Sequence, residues 1–405
     1  MNLPHADALR WIDAQTDALR EELIRLARQN SGSFNADGVR AVAARVAEWF
    51  APLGGESRLI EVPDFVDTDD TGRRRNRPLG PVLSIRKRPD APLRVFLGGH
   101  LDTVYGVNHP FQEVDQPEDD TLHGPGVADL KGGLLVAWLA LSALERDPAR
   151  ERIGWEVLFN PDEEIGSQSS APLLAEAARR NHFGLVFEPS FPDGMLAGAR
   201  KGSGNFDIVV HGRAAHAGRN PEAGRNAIAA AAELAGALQS LNGRRAGVTV
   251  NVGYVHGGGA LNVVPDLCVL KFNVRTRLAE DEAWLQAQLE SSLARIRARD
   301  GFRVETFGGF TRPPKPVDER TARLNGMIDD AGRALGLQLT FRDTGGCCDG
   351  NNLAAAGLPN VDNLGVVGAD IHSEHERMRI GSLPERGKLS ALLLLRLAGG
   401  ELTWQ

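Results

Sequence analysis

Residues of metal-ligating type recur at one kind of position in this 405-residue chain, just beyond short apolar runs. Leu93–Leu97 leads into His100-Leu-Asp102, and His123-Gly-Pro-Gly-Val-Ala-Asp129 closes a loop before a helical pattern that opens at Lys131-Gly-Gly. Trp155–Phe159 ends in Asn160-Pro-Asp-Glu163-Glu164, Leu185–Phe187 ends in Glu188, and Leu364–Val367 leads to Ile371-His372. His100, Asp129, Glu164, Glu188 and His372 supply two imidazoles and three carboxylates. A single Zn²⁺ takes three or four ligands and, when catalytic, keeps a position open. Shared between two ions, the set gives each a histidine and a carboxylate, with Asp129 bridging. Three carboxylates and a hydroxide would then balance two dications. The mixed nitrogen and oxygen donors favour zinc, with cobalt or manganese also fitting. Glu163 is left over as a base for the attacking water. Asp102 can accept the second ring N–H of His100 and fix its tautomer. That chemistry is metal-assisted hydrolysis.

Those apolar runs, rich in Val, Leu and Phe, predict strands, and helical patterns at Gly132–Leu144 and Ser170–Arg180 separate them. The alternation predicts an α/β domain with a mixed, largely parallel sheet flanked by helices, whose carboxyl edge binds ligands. Before it, Leu9, Ile12, Leu19, Leu23, Leu26 and then Val39, Val42, Val46 and Phe50 recur at helical spacing. Arg73-Arg-Arg-Asn-Arg-Pro reads as a solvated polar loop. Residues 201–313 change character. Strands are predicted at Asn205–Val210, Val248–Val255 and Cys268–Arg275, and amphipathic helices at Ala223–Leu241 and Glu280–Arg299. This is an α+β domain inserted into the first, which therefore comprises 1–200 and 314–405, closed by the Leu-rich helix Pro384–Leu397.

Lys+Arg is 46 against Asp+Glu 53, a net charge of −7, which argues against a nucleic-acid partner. No run approaches the ~18 apolar residues of a membrane span, and the first residues lack a signal-peptide pattern. Three cysteines cannot build a disulfide framework, so a cytoplasmic, reduced protein is expected. His109 and His123 read as structural or solvent-facing, and Glu376 as structural. His375 lies on an irregular segment, where its spacing from His372 does not make a ligand pair. Cys347-Cys348 reads as two small buried thiols. His256-Gly-Gly-Gly imitates an esterase oxyanion hole, but there is no Gly-x-Ser-x-Gly nucleophile to serve it. Neither a full dinucleotide fingerprint nor a phosphate-binding Gly-x4-Gly-Lys-Ser/Thr loop occurs.

Gly99-His-Leu-Asp-Thr-Val, Gly124-Pro-Gly-Val-Ala-Asp-Leu-Lys-Gly-Gly, Asn160-Pro-Asp-Glu-Glu-Ile-Gly-Ser and His211-Gly-Arg-Ala-Ala-His-Ala-Gly resemble one family. It is that of the co-catalytic dizinc aminohydrolases: glutamate carboxypeptidases, acetylornithine and succinyl-diaminopimelate deacylases, and aminoacylases. Pro221-Glu-Ala-Gly-Arg-Asn-Ala and Gly345-Gly-Cys-Cys-Asp349 are most similar to the glutamate carboxypeptidase branch, although that branch usually has a hydroxyl residue at position 348. The resemblance implies His100 and Glu188 on one zinc, Glu164 and His372 on the other, Asp129 between them and followed by a cis peptide, and Glu163 as general acid/base. It also implies a homodimer formed through the inserted lid, with His216 reaching the partner's site to polarise the scissile carbonyl. Asn262, Arg275 and, more loosely, Arg312 would hold the substrate's carboxylate. The implied activity releases a C-terminal amino acid, glutamate foremost, from an N-acyl or short peptide substrate. An N-acyl amino acid deacylase is the alternative, and a catalytically silent binding protein on the same fold a third.

Overall fold

The computed structural model describes residues 5–404. A six-stranded sheet runs in the order Glu56–Ile60, Val82–Lys87, Ile153–Asn160, Leu93–His100, Phe183–Val186, Asn360–Val361. The last four strands are parallel, and the first two join antiparallel at one edge. Ile153–Asn160 is buried along its whole length, as a central strand covered on both faces must be. On one face lie Ala36–Phe50, Gly132–Arg146 and the terminal helix Ser382–Gly399, packed through Leu134, Leu139, Leu392 and Leu395. On the other lie Ala171–Arg180 and Asp349–Ala355, packed through Leu174 and Leu353 onto Phe96 and Leu158. Val127–Arg146 is long and apolar enough to span a membrane, yet 94% of its most apolar 18 residues are buried in this core.

The inserted segment folds around its own apolar cluster, which includes Phe206, Val210, Leu234, Leu270 and Leu293. Its antiparallel sheet is ordered Thr249–Gly257, Leu267–Thr276, Gly202–His211, Arg303–Arg312, with helices Ala227–Gln239 and Ala279–Arg297 against it. The two chain crossings between the domains are bonded to each other: Arg200 N–H donates to the Lys315 carbonyl at 2.9 Å, and Lys315 N–H donates back at 3.0 Å.

Three segments differ from the sequence expectation. The arginine-rich stretch is not simply a loop, since Arg74–Arg77 pairs with Phe65–Thr68 in a hairpin. Arg75 bonds Asp67 across the pair, and the hairpin tip is anchored on the inserted domain. The Thr68 hydroxyl donates to Asp207 at 2.6 Å, Lys271 donates to the Thr68 carbonyl at 2.6 Å, and the Tyr254 hydroxyl donates to Asp70 at 2.6 Å. Near the carboxyl end the sheet strand is Asn360–Val361 rather than Leu364–Val367. The Gly365 backbone runs so close to the Phe187 carbonyl that a Cβ would lie 2.2 Å from it, and only Val367 bridges, to Ser190. His123 ends a short strand, Thr121–His123, that pairs with Arg377–Arg379.

Candidate active site

Strand register brings the site together. Gly98 pairs with Val186 and His100 with Asn160, so His100 and Glu188 each stand two residues past the same rung. Glu163 follows three residues after Asn160. Asp129 arrives from the turn Val127–Lys131, in which the Asp129–Leu130 peptide is cis. The Gly-Gly after Lys131 has a steric cause: a Cβ at Gly133 would sit 2.1 Å from the Phe187 carbonyl. Only glycine lets that helix start close against the strand that delivers Glu188. His372 comes from a loop and adopts φ 63°, a left-handed conformation uncommon for a non-glycine residue.

Asp129 stands between two groups of donors. Its Oδ1 is 3.1 Å from His100 Nε2, which lies 4.0 Å from Glu188 Oε2. Its Oδ2 is 3.2 Å from His372 Nε2, which lies 3.1 Å from Glu164 Oε2. Ligands around a tetrahedral zinc with ~2.0 Å bonds are about 3.3 Å apart; three of these separations are 3.1–3.2 Å, and His100–Glu188 is wider at 4.0 Å. Glu164 Oε1 and Glu188 Oε1 are buried with no hydrogen-bond partner, an arrangement that costs free energy unless a cation satisfies them. Burial and the Asp129 charge push the Glu164 carboxyl up to about 8, and burial with the Glu163 charge pushes Glu188 well above its ordinary value. Contacts with Asp129 and Glu164 raise His372 to about 11. Such a cluster concentrates more negative charge than its own histidines balance. The donor set fits divalent cations.

Asp102 has wider work than the tautomer of His100. Nδ1 of that ring meets the Asp102 carbonyl at 2.9 Å and its carboxylate at 3.3 Å. The carboxylate also accepts the backbone N–H groups of Glu163 and Glu164, each at 3.2 Å, and the Ser33 hydroxyl at 2.7 Å. One buried aspartate therefore fixes both the ring and the Glu163–Glu164 turn.

A cavity of about 310 Å³ opens beside these groups, with Asp129, Glu163, Glu164, Glu188 and His372 on its wall. Arg312 is buried and donates to Glu163 Oε1 at 2.8 Å and to the Ser167 hydroxyl at 2.8 Å. Beside it, Asp349 is pushed up to about 6 by burial, against the opposing pull of Arg312. Arg275 donates to Cys347 Sγ at 2.7 Å, and Arg312 approaches the same sulfur at 3.8 Å. Cys347 is thus a partly exposed part of the cavity wall, whereas Cys348 is buried. His216 and Asn262 stand elsewhere, exposed together on the inserted domain and absent from the cavity wall. They are locked to each other, since Ala217 N–H donates to the Asn262 carbonyl at 2.9 Å.

Two groups support the site from behind, and the sequence reading of Glu376 as structural agrees with the first. Glu376 accepts the N–H groups of Gly126, Ala128 and Asp129 at 3.0–3.1 Å and the Tyr105 hydroxyl at 2.7 Å. It holds the turn that presents Asp129. Glu376→Gln replaces one acceptor oxygen by a donor facing those N–H groups. A loss of roughly 10–100-fold in zinc affinity is expected, measured by competition with a chelator. The second is Arg200, on the cavity wall, which makes two bonds to buried Asp362 at 2.8 and 2.9 Å. Lys315 reaches the same carboxylate at 2.6 Å. Partners 162 positions apart leave no local pattern.

This chain is similar to known proteins. The family model described as peptidase family M20/M25/M40 matches residues 96–396. Carboxypeptidase G2 of Pseudomonas sp. is 30% identical over 321 residues, covering 76% of this chain and 74% of its own length. Succinyl-diaminopimelate desuccinylase of Thioalkalivibrio sulfidiphilus is 26% identical over 375 residues, covering 87% and 92%. The M20 family metallo-carboxypeptidase Sso-CP2 from Sulfolobus solfataricus shares the fold with a TM-score of 0.72, at 16% identity, over 93% of this chain and 98% of that one. The chain belongs to peptidase family M20/M25/M40 and is a metal-dependent hydrolase of peptide or amide bonds.

Proposed function

We propose that this enzyme is a dizinc carboxypeptidase that releases a C-terminal amino acid, glutamate foremost, from an N-acyl or short peptide substrate. The observation that carries this reading is Asp129, whose two oxygens each face one histidine backed by a second carboxylate, with Glu163 on the same cavity wall. His100 and Glu188 would hold one ion, Glu164 and His372 the other, and Asp129 both. Bound divalent cations supply Lewis acidity toward the carbonyl and lower the pKa of water. Glu163 takes the proton from the attacking water and passes it to the leaving amine nitrogen. Arg275 and Arg312 suit a substrate carboxylate, being guanidinium groups that converge on the sulfur of Cys347, a residue of the cavity wall. Residues 201–313 serve as lid and as the interface of a homodimer, and the three unpaired thiols suit a reducing compartment. The desuccinylase relative supports the second reading, an N-deacylase using the same groups on an acetyl or succinyl amide.

A panel of N-acyl-glutamates and other N-acyl amino acids, assayed with added zinc and resolved by chromatography, tests the choice. The carboxypeptidase reading expects the rate to follow the amino acid released. A rate that follows only an acetyl or succinyl group overturns it. Asp129→Ala is expected to lose both metal and activity, measured by elemental analysis. Two tightly held ions in that variant would count against the bridge.

A further inference from the structure

At the amino ends of the sheet strands, opposite the active site, lies a cleft of about 290 Å³. Arg94 on its wall is the second residue of Leu93–His100, so His100 is about 20 Å further along that extended strand. The chain carries a net charge of −7, yet six arginine or lysine side chains line this cleft against two acidic ones, Asp90 and Glu156. Lys87 and Arg88 are neutralised by Glu145. Glu156 is taken up by Arg180, which donates to both of its oxygens at 2.6 and 3.2 Å, and by Asn181 at 2.9 Å. Three guanidinium groups are left without a carboxylate of their own. Arg94 donates only to carbonyls, those of Arg180 at 2.7 Å and Ala91 at 3.2 Å. Arg86 comes no nearer to Glu156 than 3.9 Å. Arg179 is exposed in the last turn of Ala171–Arg180 and, among the described residues, has no hydrogen-bond or ion-pair partner. Asp90 is exposed and pairs with none of the three.

Cations at the carboxyl end of a helix are ordinary, which accounts for Arg179 and Arg180. It does not account for Arg86 and Arg94, which come from two strands. The wall between those strands is also built to a fixed shape. Arg88 takes φ 50° and donates through Nε to the Ile153 carbonyl at 2.8 Å. Its own carbonyl lies where a Cβ at Gly154 would come within 2.0 Å, so only glycine lets the turn close on the sheet. We propose that this cleft binds a compact phosphate-bearing anion, held by Arg86, Arg94 and Arg179. Guanidinium groups match phosphate oxygens with planar, charge-assisted donors. Three unmatched positive charges suit a ligand with two or more negative charges better than a single carboxylate. About 290 Å³ is close to the ~300 Å³ lower end of small-molecule cavities. Inorganic pyrophosphate or a small phosphate ester therefore suits the space better than a whole nucleotide. An anion there would tie the end of Ala171–Arg180 to the strands beside it and stabilise the folded chain by mass action.

The test titrates zinc-loaded wild type, Arg86→Ala, Arg179→Ala and the double variant with inorganic pyrophosphate and with glucose 6-phosphate. Calorimetry is run at about 0.15 M sodium chloride, where the Debye length is ~8 Å and loose attraction between exposed charges is screened. The zinc centre is common to all four proteins, so any heat from anion at the metals appears in each and drops out of the comparison. Each single substitution is expected to weaken binding at the cleft by roughly tenfold, and the double substitution to abolish it. The rise in melting temperature that the anion gives wild type should be lost with it. A preference for pyrophosphate assigns the site to the free inorganic anion, and a preference for glucose 6-phosphate to a phosphate ester. An affinity unmoved by the double substitution places the anion at the zinc centre and overturns the proposal. Binding of neither probe at that salt concentration overturns it as well. Neither Arg86 nor Arg179 makes a hydrogen bond within the described chain, so folding does not rest on them, and melting without ligand checks this.

Discussion

Glu163→Gln is expected to lower turnover by about 10²–10⁴-fold while zinc content stays near that of wild type. The Glu163 side chain is in neither of the two donor groups that share Asp129. It faces the cavity and bonds Arg312 through Oε1. Glutamine keeps the size and can still accept from that guanidinium, so the turn and its neighbours should hold. What glutamine cannot do is take a proton from water and return it to nitrogen. Elemental analysis and steady-state rates on the same preparation read the two properties separately. Near-normal turnover would remove Glu163 from the proton path, and loss of zinc along with turnover would make it a ligand.

His216→Ala should cost about 10²–10³ in rate if the ring donates to the carbonyl oxygen as negative charge grows there. Gly218 N–H donates to His216 Nδ1 at 3.1 Å, which leaves Nε2 to carry the proton and act as donor. The ring is exposed on the inserted domain, away from the wall of its own chain's cavity. In the proposed homodimer, a donor placed there would serve the second copy. Mixing inactive His216→Ala with inactive Glu163→Gln protein should then restore activity, because one site of each mixed dimer receives both intact groups from opposite chains. The other site is doubly defective, so recovery per mixed dimer is limited to about half of wild type. Proven subunit exchange without recovery assigns His216 to its own chain or to no site. A fully active monomer ends the trans arrangement.

The metal-ligating candidates were legible because each sits within a few residues of a strand end or loop with a clear apolar signature. His100, Glu164 and Glu188 need only a strand and its exit, and parallel pairing then aligns those exits without further instruction. Groups whose partners are remote were not legible. Nothing near Arg200 announces Asp362, and nothing near Asp102 announces that its carboxylate will hold two backbone N–H groups 61 and 62 positions away. The fourth strand of the inserted domain, Arg303–Arg312, lacks clean alternation because Gly308 and Gly309 interrupt it. Gly308 takes φ 79°, and a Cβ there would lie 2.2 Å from the Asn205 carbonyl of the neighbouring strand. The hairpin was hidden for the opposite reason. Its arginines look like a solvated run, and only their tertiary contacts give them an ordered place.

That hairpin also changes what the inserted domain is free to do. The paired crossings at Arg200 and Lys315 would by themselves make a simple hinge. Arg312 and Arg275 already reach Glu163 and Cys347 from the inserted domain, and the bonds between Thr68 or Asp70 and Asp207, Lys271 or Tyr254 add a further attachment. Gly72 tightens it, since any Cβ there would press within 2.5 Å of Val209. A body tied down away from its hinge cannot swing without dragging the link that ties it, as the coupler of a four-bar linkage is dragged by its crank. Here the far end of the link carries Arg77, seated on Phe34. Opening or closing the inserted domain therefore either breaks this group of polar contacts or drags that guanidinium off the face of Phe34.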